Sequence, residues 1–124
     1  MSRLITTFDS NLGILILTVE NQLAPQFVMD YYNDLSNNKE YPRDLRVICF
    51  ISTTSYKIRP EDIDEMVDSL EKASNKYKRL TEAFVAEDPY STVITTLFSE
   101  KAQIRNYRSK VFSTKEAALK WLLE

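Results

Sequence analysis

What the chain lacks narrows its chemistry first. It has no histidine, so nucleophile pairs that depend on an imidazole base cannot be assembled. Cys49 is the only cysteine. A lone thiol forms no intrachain disulfide and sets no demand for an oxidising compartment. Without histidine it also excludes a zinc site built from those two ligand types. Gly13 is the only glycine, whereas a phosphate-cradling loop or a dinucleotide fingerprint needs several. No apolar run approaches the roughly 20 residues of a membrane helix, and the opening MSRLITTFDS has no apolar region of signal-peptide length. The expectation is a cytoplasmic protein with no membrane span. A net charge of −2 gives no global attraction to nucleic acid or to anionic lipid.

What is present is an ordinary globular composition. Of 124 residues, 44% are apolar and 27% charged, too apolar for a disordered chain. The length fits a single domain spanning 1–124. Arg3–Phe8 and Ile14–Val19 read as strands separated by the turn-rich Asp9-Ser10-Asn11-Leu12-Gly13, which predicts a hairpin. Pro25 starts a helix to about Ser36. Leu45–Ile51 is a third strand, apolar on both faces like Ile14–Leu17, so both belong inside a sheet. A polar loop, Ser52–Arg59, leads to the longest helix, Pro60 to about Tyr77. A strand at Ala83–Ala86, a helix from Tyr90 to Ile104 and a strand at Lys110–Phe112 follow. Ser113 and Glu116 make a capping box for a last helix, with Ala117, Ala118, Trp121 and Leu122 facing inward and Trp121 docking it on the sheet. The order ββαβαβαβα predicts an α/β fold with a mixed five-stranded sheet, mainly parallel, its N-terminal strand antiparallel.

In that order the chain resembles STAS-type domains, the anti-sigma-factor antagonists of the sporulation stage II AA type. More closely it is similar to small stand-alone bacterial proteins grouped as STAS-like, whose fold is akin to CRAL-TRIO lipid-binding domains. DYYNDLSNNKEYPRDLRV, RPEDIDEM and KVFSTKEAALKWLL carry the resemblance, which extends over nearly the whole chain. It implies a mixed sheet covered by helices, no catalysis, and regulatory binding. In such antagonists a serine just after the third strand is phosphorylated and controls binding to a kinase. The matching stretch here, Ile51 to Pro60, keeps hydroxyls but has neither the Asp-Ser pair nor the following glycine, so no single residue takes the place of that serine.

Ser52, Thr53, Thr54, Ser55, Lys57 and Arg59 are the candidate binding residues for a partner or ligand. Loops beyond the carboxyl ends of parallel strands are where such sheets meet ligands. The competing reading is that the hydroxyls satisfy turn backbone. Glu61, Asp62 and Asp64 oppose an anion at Lys57 and Arg59. Lys101, Arg105, Arg108 and Lys110, with Tyr107 among them, have the look of a single-strand-binding segment, but cations at a helix end are expected on dipole grounds. Glu61, Asp62, Asp64, Glu65 and Asp68 lack the spacing of a calcium loop. Cys49 is expected to be buried and inert. Tyr31, Tyr32, Tyr56, Tyr90 and Tyr107 suit either a contact surface or the core margin. Three functions remain: a regulatory module binding an unidentified protein partner, a carrier of a small apolar ligand or lipid between sheet and helices, and an enzyme using carboxylates alone, such as Glu87 or Asp88 at the end of the fourth strand. The last has no paired base, nucleophile, metal or cofactor motif behind it, and no residue pattern sets the oligomeric state. A closed interior favours the partner module and a pocket of a few hundred Å³ the carrier.

Overall fold

The computed structural model describes the chain from Ser2 to Glu124, with side chains described at residues 4–51 and 57–124. Two strands, β1 (Ser2–Asp9) and β2 (Ile14–Leu23), form an antiparallel hairpin with Phe8 opposite Leu15 and Leu4 opposite Val19. Its turn explains the placement of the sole glycine. Asp9 Oδ1 accepts from the N–H groups of Asn11 and Leu12, Gly13 N–H donates to Asp9 O at 2.8 Å, and Gly13 sits at φ +68°, a conformation that side chains with a Cβ resist.

After the hairpin come α1 (Pro25–Asn37), β3 (Asp44–Tyr56), a short 3₁₀ turn (Pro60–Asp62), α2 (Ile63–Ser74), β4 (Arg79–Val85), α3 (Pro89–Lys101), β5 (Tyr107–Phe112) and α4 (Lys115–Leu122). The sheet order is β1-β2-β3-β4-β5, with every pairing after the first parallel. The expected mixed sheet is therefore observed, and both doubly apolar segments lie on interior strands. Their two faces are used by two layers of helix. Leu15, Leu17, Val47 and Leu80 pack beneath α1, α2 and α3, whose contributions include Leu35, Ile63, Leu70 and Phe98. Ile14, Ile48, Ala83 and Val85 pack on the other face against Ala118 and Leu122 of α4.

Several boundaries differ from the sequence reading. Ser52–Tyr56 is not a loop: it continues β3, because β2 itself runs on to Leu23 and supplies Glu20 to Leu23 as partners, with a register shift at Asn21/Gln22. Asn21 takes the positive φ of 71° at that irregularity. Helix α2 ends at Ser74 instead of Tyr77, whose hydroxyl donates to Leu35 O at 2.8 Å and draws the chain away. Strands β4 and β5 each begin earlier than the apolar pattern indicates: on β4 the buried residues Thr81 and Glu82 are polar, and β5 starts at the buried Tyr107, ahead of the polar Arg108 and Ser109. Thr114, and not Ser113, caps α4, accepting from Ala117 N–H at 3.2 Å, which places Ala117 in solvent and breaks the expected box. Trp121 is only half-buried, packed on the Phe112 ring at 5.7 Å with the Arg108 guanidinium 5.1 Å from its centre.

Candidate functional site

The segment expected to carry binding combines an extended strand end with an anchored rim. Side chains of Ser52, Thr53, Thr54 and Ser55, and of Tyr56, lie outside the described residues; their backbone pairs along β2. Lys57 is exposed, and its N–H donates to Leu23 O at 2.7 Å. Ile58 is fully buried, and its carbonyl accepts from Tyr90 Oη at 2.9 Å. Arg59 is exposed again. Its N–H donates to Asp62 Oδ2 at 2.9 Å, and its side chain lies 3.4 Å from Glu61 Oε1. Ile58 thus pins the chain while Lys57 and Arg59 project to either side of it. Among the described residues Lys57 has no carboxylate partner, so of the two cations it is the one whose charge is not internally offset.

The most unusual chemistry lies elsewhere. Glu82 on β4 is wholly buried, and no lysine or arginine bonds to it among the described residues. Three phenols hold it instead: Tyr32 and Tyr107 donate to Oε1 at 2.8 and 2.7 Å, and Tyr31 donates to Oε2 at 3.1 Å. Burial raises the Glu82 carboxyl above the ordinary carboxylate range, while the hydrogen bonds from Tyr107, Tyr32 and Tyr31 pull the other way. The same burial, reinforced by the charge of Glu82, lifts Tyr31, Tyr32 and Tyr107 well above the usual phenol value, so they keep their protons and act as donors. Burial and Glu82 also push the Cys49 thiol up, which leaves it a small apolar filler and no nucleophile. Sequence reasoning missed this cluster because it began the fourth strand at Ala83. The readable signal was a glutamate directly before the apolar run Ala83-Phe84-Val85 in RLTEAFV.

Above Glu82 the sheet and α1 leave a cavity of about 60 Å³, lined almost entirely by apolar groups such as Leu17, Phe27, Val28, Met66, Ile94 and Phe98. The remaining candidates are accounted for locally. Lys101 pairs with Asp64 at 3.4 Å. Tyr107 spends its ring in the core and its hydroxyl on Glu82, so the basic segment around it has no aromatic platform for a base. Asp88 caps α3, accepting from Ser91 N–H at 2.9 Å, and these hydrogen bonds hold its carboxyl below the usual range. Among the described residues no three acidic or cysteine side chains converge as a metal site, and no helix is long and apolar enough to cross a membrane.

No family model and no curated sequence matches this chain. Solved structures do. An uncharacterised protein of the DUF3478 family with a SpoIIAA-like fold, from Shewanella loihica PV-4, superposes with a TM-score of 0.53 at 13% identity, covering 98% of this chain and 95% of the other. The fold is SpoIIAA-like. A chain from the complex of the diguanylate cyclase SiaD with its activator SiaC, from Pseudomonas aeruginosa, aligns more loosely, with a TM-score of 0.47 at 11% identity over 90% of this chain and 93% of the other. The SpoIIAA-like frame is the one the STAS resemblance implied.

Proposed function

We propose that the protein is a non-catalytic regulatory module that recognises a protein partner through the rim at Ser52–Arg59 and the start of α2. The observation that carries this reading is the small interior cavity. The cavity under α1 holds about 60 Å³, well short of the roughly 300–1,000 Å³ of small-molecule sites. The polar groups of the interior, Glu82 with Tyr31, Tyr32 and Tyr107, are hydrogen-bonded to one another. Lys57 and Arg59 stand exposed on either side of a buried anchor. A cytoplasmic setting is part of the proposal. The second reading, a carrier of a small apolar ligand, draws on the almost purely apolar lining of that cavity and requires α1 to lift.

Replacing Lys57 and Arg59 together by Ala should weaken recovery of a specific partner from the native host. Stability should change by less than about 1 kcal/mol, as for surface sites generally. Equal recovery by parent and double variant would sink the partner reading. Native mass spectrometry of the same preparation reads the second one: a retained small molecule of constant mass would favour the carrier.

A further inference from the structure

The outermost strand β5 bears an open slot that the rim does not explain. Leu80 N–H donates to Asn106 O at 2.9 Å and Ala86 N–H donates to Phe112 O at 3.0 Å. In a parallel ladder, alternate residues bond to the neighbour. Even-numbered residues from Asn106 to Phe112 therefore turn their backbone to β4, and Ser109 and Val111 turn theirs away from the sheet. Beside the first half of this edge, from Tyr107 to Ser109, lies a groove of about 490 Å³. One wall is the end of α3 and the loop after it, with Ser99, Gln103 and Ile104; the other is Trp121 of α4; Tyr107 and Ser109 lie between. Helices on opposite faces of the sheet thus flank a strand edge with no neighbouring strand, on which Ser99 of α3 covers one point: its hydroxyl donates to Ser109 O at 3.3 Å and lies 2.6 Å from Ser109 Oγ.

The charge of the slot has one sign. Arg105 and Arg108 line it, both exposed, and no carboxylate does. Among the described residues neither arginine, nor neighbouring Lys110, pairs with an acidic side chain. Arg108 and Lys110 rest against the rings of Trp121 and Phe112, which keeps both cations beside the edge. This concentration of positive charge stands out on a chain of net charge −2.

We propose that the outer edge of β5 takes an extended acidic segment of a protein partner as a sixth strand. Its main chain pairs with Ser109 N–H and with Val111, taking the place of the Ser99 hydroxyl on Ser109 O, and its carboxylates meet Arg105 and Arg108. Strand addition of this kind takes affinity from backbone hydrogen bonds and specificity from alternate side chains. A nucleic acid fits the slot less well, since Tyr107 is buried and Trp121 already has Arg108 and Phe112 against it. A second copy presenting its own β5 would set arginine against arginine, which is repulsive. The proposal is independent of the Ser52–Arg59 reading: Tyr107 and Arg108 pair with the start of β4, whereas Ser52 lies past the last β3–β4 pair, Phe50 with Val85.

The test uses the whole protein and a fluorescein-labelled peptide of alternating Glu and Val. Companion probes carry Lys for Glu, or N-methyl groups on alternate amides; a labelled poly-thymidine strand is the fourth. The expected result is low-salt binding of the Glu peptide, weakened about tenfold by Arg105→Ala with Arg108→Ala and about tenfold by N-methylation in one register. Slowed hydrogen exchange at the Ser109 and Val111 amides should accompany it. Arg105→Glu, at a side chain with no acidic partner among the described residues, repeats the charge test without disturbing the Trp121 contact. Failure of the Glu peptide to bind overturns the proposal. So does equal binding of the Lys peptide or of both N-methylated registers, unprotected Ser109 and Val111 amides, or tighter binding of poly-thymidine.

Discussion

Glu82 shows how a single residue can be costly and still well placed. A carboxylate taken out of water without a cation loses far more solvation than one hydrogen bond returns. Here three tyrosine hydroxyls from α1 and β5 converge on it, and the raised carboxyl pKa shows that burial outweighs them. The sign of the pH dependence follows. Folded protein holds the Glu82 proton above the ordinary value of 4.5 at which the unfolded chain releases it. Stability from this group is therefore fully present below that pH and is lost as pH rises towards the folded value. In Glu82→Gln, the amide oxygen can accept from Tyr32 and Tyr107 while the amide NH₂ donates to Tyr31. That variant should lose the downward slope in urea stability above pH 4.5 and be at least as stable as the parent at pH 7. Glu82→Leu strands three buried hydroxyls and should cost at least about 2 kcal/mol. A Gln variant with an unchanged slope would refute this account.

At the scale of elements, α1 and α3 are held in different ways. Helix α1 has no side-chain cap, no acidic residue in its first turn and no basic residue in its last. Its attachment rests on tertiary contacts, the hydrogen bonds of Tyr31 and Tyr32 to Glu82 and the packing of Phe27, Val28, Met29 and Leu35 on the core, so its order depends on those contacts more than on its own propensity. Helix α3 starts on a conventional pair, Asp88 as N-cap and Pro89 behind it. Asp88→Ala should cost about 1 kcal/mol, and Asp88→Asn should recover most of it, since asparagine caps nearly as well. Thermal or urea unfolding of the two variants is the check; equal losses would show that capping is not what Asp88 contributes.

Across the whole molecule, strand position and helix cover set a gradient of protection. Strands β3 and β4 have neighbours on both sides and helices on both faces, whereas β1 and β5 have one free edge each. Native-state hydrogen exchange should find the slowest amides in β3 around Val47 to Cys49 and in β4 around Glu82 to Phe84. Those of β5 should open more easily, because sub-global opening begins where fewest contacts resist it. Protection in β5 equal to that in β4 would contradict the layering described and would also argue against an edge available for strand addition.

Local pattern by itself determined the order of elements. The antiparallel hairpin followed from Asp9 to Gly13, and the interior place of β2 and β3 followed from apolar residues at consecutive positions. Both are properties of neighbours in sequence. Helix and strand ends proved less legible because they depend on partners: Ser52–Tyr56 is strand only because β2 extends alongside it, and it is Thr114, one residue past Ser113, whose hydroxyl meets Ala117 N–H at the start of α4. Nothing local marked Tyr31, Tyr32 and Tyr107 as ligands of one carboxylate, since they lie 51, 50 and 25 residues from Glu82. Tertiary structure alone decided that the interior leaves a cavity of only about 60 Å³ and that Arg105 and Arg108 border the strand edge with no neighbouring strand. Periodicity reports which face of an element is apolar; which elements meet, and what is left open between them, is settled only when the sheet and its helices pack.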